Sequence, residues 1–434
     1  MEVTKENLTD GRLSLLVNVP AAEWAKYLPS AAAKVSANLK VEGFRPGKVP
    51  LEVLRQRVGE MIIVEEAAKE LIYKEADVII DREVSQRIVG QPRLSLTKLA
   101  WEADLEFKIE VDLWPSVKLA SYKERQIKVD EVKVNDQDIN KVLDNLCQSR
   151  AQESASDQPA VIGDKVIVDL RMFLDKVPVD GGQAQSVPVI LGQEYIIPGL
   201  SDKLAGVKIN DSREFTLPYP ADHYQKNLAG KKVEFSAVVK NVLQRQVPEL
   251  NDDLAKSYGA ASAEELRQQV QVSLEHEQLH RAQDKAELAL LDGLIGESDF
   301  GPLPDTLIVG EQEAMSRETQ QRLEAQGGKF NDYLMSVRQT VDQFKAGLKT
   351  EAVKRVKLSL LLRQIIEEEK LTIEPEKVAK ELERLKQQYG NNAEASKTLA
   401  NHHYQDDLAN QLLIQETLGK LKEWNFIDYQ PHQH

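Results

Sequence analysis

Cysteine is nearly missing: one residue in 434, Cys147. That excludes an internal disulfide and a multi-thiolate metal cluster within one chain, and it suits a reducing compartment. Cys147 itself reads as a small buried apolar side chain. Aromatic residues are scarce, at 6% against 29% charged, and mean hydropathy is −0.42, so long polar-faced helix should dominate over sheet. No run of about 18 apolar residues occurs, and Met1–Asn7 has neither a cationic start nor an apolar stretch. The expectation is a soluble, cytoplasmic protein with no membrane partner. Positive charge is also in deficit, with 56 Lys and Arg against 70 Asp and Glu and a net charge of −14. General wrapping of nucleic acid is therefore disfavoured, and any polyanion contact must come from a local patch. The 41% hydrophobic content is ample for the roughly two to four packed domains that this length suggests.

One local patch stands against the background charge. Between Lys34 and Arg57 there are six cations (Lys34, Lys40, Arg45, Lys48, Arg55, Arg57) and two acids (Glu42, Glu52). At its centre lies Gly43-Phe44-Arg45-Pro46-Gly47-Lys48-Val49-Pro50. Gly43 and Gly47 can take backbone angles closed to other residues, and Pro46 and Pro50 fix φ, so the loop should be shaped and hold Phe44, Arg45 and Lys48 outward. An ordinary solvated turn with surface cations has the same composition.

Around it, Leu13–Val19 reads as a strand and Trp24, Leu28, Ala31, Ala32, Val35 and Leu39 as one helical stripe. Two further helical patterns run from Leu51 to about Ala76. Leu94–Leu96 and Leu105–Val111 alternate as strands, which completes an α+β unit of residues 1–112. Residues 113–149 contain an extended stretch, Arg125–Val129, and a helix from Asn135 through Leu146. Residues 150–160 look like a linker. Strand-like Asp164–Leu170, Arg213–Leu217 and Val233–Val239, with turns at Gly181-Gly182, Pro198-Gly199 and Pro218–Pro220, make residues 150–245 a small antiparallel β-rich domain. Residues 246–434 are helical, with segments to Leu294 and at about 305–325, 330–369, 375–389 and 394–423, and with capping-box spacing at Ser262–Glu265. Glu275–Lys285 has a single large apolar residue and should project into solvent as an arm.

The loop Gly43–Pro50 resembles the ribosome-docking signature of bacterial trigger factor, and the domain order is similar over essentially the whole chain. The resemblance implies a multidomain α+β architecture: an α+β ribosome-binding head, an antiparallel β-rich FKBP-like domain and a large all-α chaperone domain with helical arms. It implies an ATP-independent chaperone without a cofactor, docking at the ribosomal exit tunnel and shielding nascent chains. Its partners would be a ribosomal protein, ribosomal RNA and unfolded polypeptides, and a free homodimer is left open. Gly43, Phe44, Arg45, Pro46, Gly47, Lys48 and Pro50 would form the docking site, Pro46 standing where the family often has a further cation. FKBP-like isomerases hold the proline ring in an apolar pocket and lower the rotation barrier of about 18–20 kcal/mol without covalent chemistry. Matching Asp164–Asp169, Gly192-Gln193, Ile197–Leu200 and Asn227–Gly230 places that pocket at Leu170, Val179, Asp180, Val187, Ile196, Ile197, Leu200, His223 and Phe235. Leu170, Val179, Val187, Leu200 and His223 replace family aromatics, with Tyr224 as a register-shifted substitute. Lys176 stands where a turn glycine is usual. Isomerase activity should therefore be weak.

Two other classes are open to the residues. His276-Glu277-Gln278-Leu279-His280 matches H-E-x-x-H, in which two histidines one helical turn apart bind zinc and the glutamate activates water. A third ligand is not evident, since Glu297 and Asp299 lie beyond a helix break, and the surrounding helix is too polar for a dry cleft. His402-His403 and His432–His434 read as surface residues, and no metal is expected. A helical scaffold or chaperone without ribosomes would share the arms but have no use for the cationic tip.

Overall fold

The computed structural model describes the chain except residues 9, 38, 40–43, 194, 196, 221–227, 390–392 and 428–434 and the side chains of 180 and 393–395. Two compact units emerge, one of Met1–Val129 with Asp284–His434 and the other of Asp130–Gln283.

The first unit opens with β1 (Glu2–Asn7), β2 (Arg12–Val19), α1 (Ala21–Trp24), a 3-10 turn at Ala25–Tyr27, α2 (Leu28–Ala37), α3 (Leu51–Val58), α4 (Glu60–Glu83), β3 (Ile88–Lys98) and β4 (Leu105–Leu113). The strands form an antiparallel sheet of order β1-β2-β4-β3. Leu15 lies opposite Ile109 and Val17 opposite Phe107, so alternate residues of the two central strands fall on one face and are buried with Ile63, Ala67, Leu71 and Ile79 of α4. This is the period-2 stripe of the strands meeting the period-3.6 stripe of a helix. The strand β1, almost wholly exposed, has no apolar alternation to announce it. Past Ala76, α4 continues for two more turns because Ile79 and Ile80 extend its buried stripe.

After β5 (Val117–Lys118) a strap of residues 119–129 packs Leu119, Tyr122, Ile127 and Val129 against the helical core of this unit. The expected extended stretch at Arg125–Val129 is present as a single parallel bridge from Ile127 to Phe426.

The second unit comprises α5 (Asp136–Ser149), β6 (Gln152–Ala155), β7 (Lys165–Leu174), β8 (Val177–Ile190), α6 (Leu200–Lys203), β9 (Ser212–Pro218), β10 (Lys232–Gln246), α7 (Asp252–Ser257) and the first part of α8 (Ala263–Glu297). The sheet runs β6-β10-β7-β8, with β9 also paired to β10. Two expectations differ here. The stretch read as a linker contains β6, an exposed strand held to β10 by backbone pairing. The chain reverses not at Gly181-Gly182, which lie within β8, but at Asp175-Lys176, both with left-handed φ of 51° and 65°. Lys176 thus carries the backbone conformation that glycine takes more cheaply.

Helix α8 is uninterrupted, and the division between the two units falls inside it at Gln283 and Asp284. Its polar stretch is mostly exposed, but Gln283 is buried. A helix polar on all sides is suited to such a connection.

The first unit resumes with β11 (Asp299–Phe300), paired to β5, and with α9 (Asp305–Ala325), α10 (Phe330–Ser336), α11 (Val341–Gly347), α12 (Lys349–Glu369), α13 (Pro375–Tyr389), α14 (Ala393–Leu399) and α15 (His402–Asn425). The stretch expected as one helix at 330–369 is three. Arg338 adopts φ of 55°, and Thr340 and Gln343 close a reciprocal capping box that starts α11. That T-x-x-Q spacing is a sequence-level start signal.

Candidate functional site

The loop after α2 is built on a tight reversal. The Lys48 amide donates to the Arg45 carbonyl at 3.0 Å, Pro46 occupies the second position, and Gly47 has φ of 79°. These are the requirements of a type II turn, in which proline pre-sets the first corner and only a residue tolerant of positive φ fits the second. On the far side of the turn Val49 is buried in the head core. Pro50 follows as N-cap of α3. Phe44 is 40% exposed, and Arg45, Pro46 and Lys48 are exposed. The loop is anchored at Val49, and its aromatic ring and two cations face solvent. Gly43 lies outside the described residues.

The six cations of the patch are not equivalent. Lys34 Nζ lies 2.9 Å from the Glu70 carboxylate and 3.9 Å from Glu66. That hydrogen bond raises the Lys34 pKa and lowers that of Glu70. Arg55 donates to Glu60 at 2.7 Å and stacks 4.7 Å over the Trp101 ring. Arg45, Lys48 and Arg57 have no side-chain partner among the described residues. Lys40 lies outside those residues.

In the β domain, the structure brings six of the nine pocket candidates to one core. Leu170, Leu200 and Phe235 are buried in it, and Val179, Val187 and Ile197 pack against it partly buried. Asp180 lies in β8 with its side chain outside the described set, and Ile196 and His223 (like Tyr224) lie outside the described residues. Leu170 sits opposite Ala237, and Phe235 lies between Met172 and Phe215 across the sheet. Phe215 and Phe235 stack with ring centroids 5.6 Å apart. Leu200 begins α6 directly after Gly199, whose φ is 82°. Sequence reasoning missed Met172, Phe215, Tyr195 and Tyr219, which join the same core. The Tyr195 hydroxyl accepts from the Ile190 amide at 2.5 Å. Alternation along Arg213–Leu217 marks Phe215 as inward, but its pairing with Phe235 depends on strand register.

The helical region carries an open cleft of ≈ 790 Å³, lined by Glu313, Arg317, Glu324, Lys329, Phe330 and Val341 among others. At its edge Phe330, Tyr333 and Phe344 form an aromatic cluster with centroids 5.5 to 6.5 Å apart, Phe330 stacked near-parallel with Tyr333 and Phe344 edge-on to both. Met335, Val337 and Val341 are exposed.

His276 and His280 lie one turn apart on α8, both exposed. Glu277 is ion-paired to Arg281 at 2.5 Å. No group of three His, Cys, Asp or Glu side chains placed to hold a metal ion occurs among the described residues. No helix is long and apolar enough to cross a membrane, again among those residues.

Comparison with known proteins joins these pieces. The family model described as bacterial trigger factor protein matches residues 1–146, and that for its C-terminus matches 262–423. The model for FKBP-type peptidyl-prolyl cis-trans isomerase matches 156–240, the β domain. Trigger factors of Bacillus cereus (strain Q1) and Bacillus thuringiensis (strain Al Hakam) are each 29% identical over 412 residues, covering 94% of this chain and 96% of those proteins. A solved structure reported as "Promiscuous Substrate Recognition in Folding and Assembly Activities of the Trigger Factor Chaperone" shares the fold, with a TM-score of 0.53 and 21% identity over 98% of this chain and 99% of that one.

Proposed function

This chain is a member of the bacterial trigger factor family, and from that premise we infer a chaperone that docks on the ribosome, shields nascent chains without ATP and carries an FKBP-type prolyl isomerase domain. In this reading the loop from Gly43 to Pro50 is the docking tip. Phe44 is its apolar anchor, while Arg45 and Lys48 meet a ribosomal protein and ribosomal RNA phosphates at the tunnel exit. The observation that carries it is the type II turn at Arg45–Lys48, which leaves the two loop cations unpartnered among the described residues beside an exposed ring. Pro46 replaces a cation but suits the turn, so docking keeps its shape with one fewer charge. Co-sedimentation of the Phe44→Ala, Arg45→Ala, Lys48→Ala triple variant with purified ribosomes tests it. Loss of binding with an unchanged circular dichroism spectrum is expected, and normal binding overturns the assignment.

The isomerase pocket we assign to Leu170, Val179, Asp180, Val187, Ile196, Ile197, Leu200, His223 and Phe235 is mainly aliphatic. Aliphatic walls grip a proline ring less firmly than stacked aromatics, so turnover is low. A proline-limited refolding assay with the full chain checks this, and a rate matching an aromatic-lined homologue contradicts it. Client segments are held weakly at many places, including the α9–α11 cleft, with ribosome docking raising their local concentration. Head, linker with body, β domain and helical domain are divided at about residues 112, 149 and 245 in this reading. Docking on ribosomes places the protein in the cytoplasm. The family resemblance also supports a homodimer of the free protein, which equilibrium sedimentation measures directly.

A further inference from the structure

We propose that Arg57 is a direct phosphate contact in ribosome docking, outside the loop itself, and that Arg55 on the same helix positions the loop without touching the ribosome. The proposal rests on the docking reading above and divides by role a pair of cations that composition treats alike.

The division begins with helix geometry. Residues two apart on an α-helix point about 200° apart, so Arg55 and Arg57 of α3 cannot share a face. Arg55 turns inward. Its guanidinium binds the Glu60 carboxylate, lies 4.0 Å from Glu52 and covers the Trp101 ring, and that ring packs on the head core. These contacts tie α3 to α4 and to the β3–β4 turn, and α3 begins directly where the loop ends at Pro50. A cation held this way has little charge left to offer a partner.

Arg57 turns outward. It is exposed and has no ion pair, hydrogen bond or ring contact among the described residues. Local sequence explains why: the positions three and four residues before it are Leu54 and Val53, the position four after it is Met61, and Glu60 is already taken by Arg55. Along the helix axis Arg57 lies about 9 Å from Leu51, comparable to one Debye length in physiological salt. With Arg45 and Lys48 it is one of three exposed cations between residues 45 and 57 that have no partner among the described residues, in a chain of net charge −14. A planar guanidinium suits phosphate oxygens because it can donate two parallel hydrogen bonds. The competing role for Arg57 is a purely structural one, compensating the negative end of the α3 dipole.

Salt dependence separates contact from positioning, because each neutralised phosphate adds about 0.7–0.9 to the slope of log affinity against log salt. The measurement is co-sedimentation of the full chain with purified ribosomes across a potassium chloride series. Arg57→Gln is expected to weaken binding about two- to five-fold, the range for an exposed ion pair, and to flatten the slope by about one phosphate equivalent. Arg57→Lys restores the slope. Arg55→Gln weakens binding with the slope unchanged. If Arg57→Gln keeps both wild-type affinity and slope, or if Arg55→Gln flattens the slope as much, the proposal is overturned. The triple loop variant keeps the two readings apart: normal binding by it removes the docking assignment itself, whereas loss of binding by it beside a wild-type Arg57→Gln removes only the role of Arg57.

Discussion

The hydroxyl of Thr306, at the start of α9, donates a hydrogen bond to the carboxylate of Asp112, at the end of the central head strand β4. Asp112 is buried and also receives Arg93 from β3 at 2.5 Å. One carboxylate thus joins the head sheet to the helical region of the same unit. Nearby, a side chain on Gly11 would come within 2.8 Å of the Pro302 carbonyl oxygen, so backbones meet closely there as well. Asp112→Ala should destabilise this unit by about 1–3 kcal/mol, the usual cost of stranding a hydrogen-bonded buried group. Arg93 is half exposed and can turn to water, which keeps the figure below that for a fully buried pair. Denaturant unfolding gives the magnitude, and faster amide exchange at the start of α9 should accompany it. An unchanged midpoint and unchanged exchange would dismiss the bridge.

Gly47 offers a test of the docking role proposed for the Arg45–Lys48 turn that leaves its charge untouched. A Cβ there meets nothing closer than 3.7 Å, so space does not forbid alanine, but a φ of 79° does. Left-handed backbone costs a non-glycine residue roughly 1–2 kcal/mol. If the turn must form to dock, Gly47→Ala weakens ribosome affinity about five- to thirty-fold with an unaltered salt slope. Wild-type affinity would mean that the turn is not needed in the bound state.

The strap of residues 119–129 predicts acid sensitivity. Arg125 lies 2.8 Å from Glu297, and Lys123 and Tyr122 both bond Glu369. Hydrogen bonds from Arg125 hold the Glu297 carboxyl below its ordinary range, as those from Lys123 and Tyr122 do for Glu369. Both folded-state pKa values are depressed, so the stabilisation is present above the unfolded value of about 4.3 and is lost as pH falls through the folded values. Thermal melts from pH 7 down to 3 should show the first unit losing stability, and Glu297→Gln with Glu369→Gln should flatten that dependence. A parallel pH profile for the double variant would count against the strap. Glu297 is exposed and Glu369 only partly buried, so salt should also reduce the effect, most of all at Glu297.

Cys147 should be nearly inert in the folded protein. Burial pushes its thiol pKa up, and the charge of Asp144 adds to the shift. The thiolate is the reactive species, so alkylation at pH 8 should be slow in the native state and fast in denaturant. A raised folded pKa contributes stability that is complete below the unfolded value of about 8.5 and is lost as pH rises through the folded one. Rapid native-state labelling at pH 8 would contradict the burial of this side chain.

Much of the fold was legible in the sequence where a local rule was strong. Leu13–Val19 and Leu105–Val111 alternate cleanly, and Asp305–Ala325 and Pro375–Tyr389 emerge at the expected bounds. Weak local signals failed. Both β1 and β6 have no apolar face and are held by backbone pairing with a neighbour, which leaves no periodic trace in their own residues. Gly181-Gly182 has the composition of a turn, yet the β7–β8 register draws it into a strand and moves the reversal to Asp175-Lys176. The break at Thr340 was readable from its capping spacing but is masked by helix-forming residues on both sides.

For the loop Gly43–Pro50, the sequence by itself determined the punctuation and the chemistry: Gly47 and Pro46 specify a turn because few residues tolerate their backbone angles, and Phe44, Arg45 and Lys48 supply the ring and the charges. Tertiary structure alone decided which cations are available. Lys34 and Arg55 are neutralised by Glu70 and Glu60, and Arg55 is covered by the Trp101 ring, partners brought close only by the folding of α2, α3, α4 and the β3–β4 turn, whereas Arg45, Lys48 and Arg57 keep their charge toward solvent. Counting residues gives the sum of charges, but electrostatics depends on the distance between them, and that distance exists only in the folded chain.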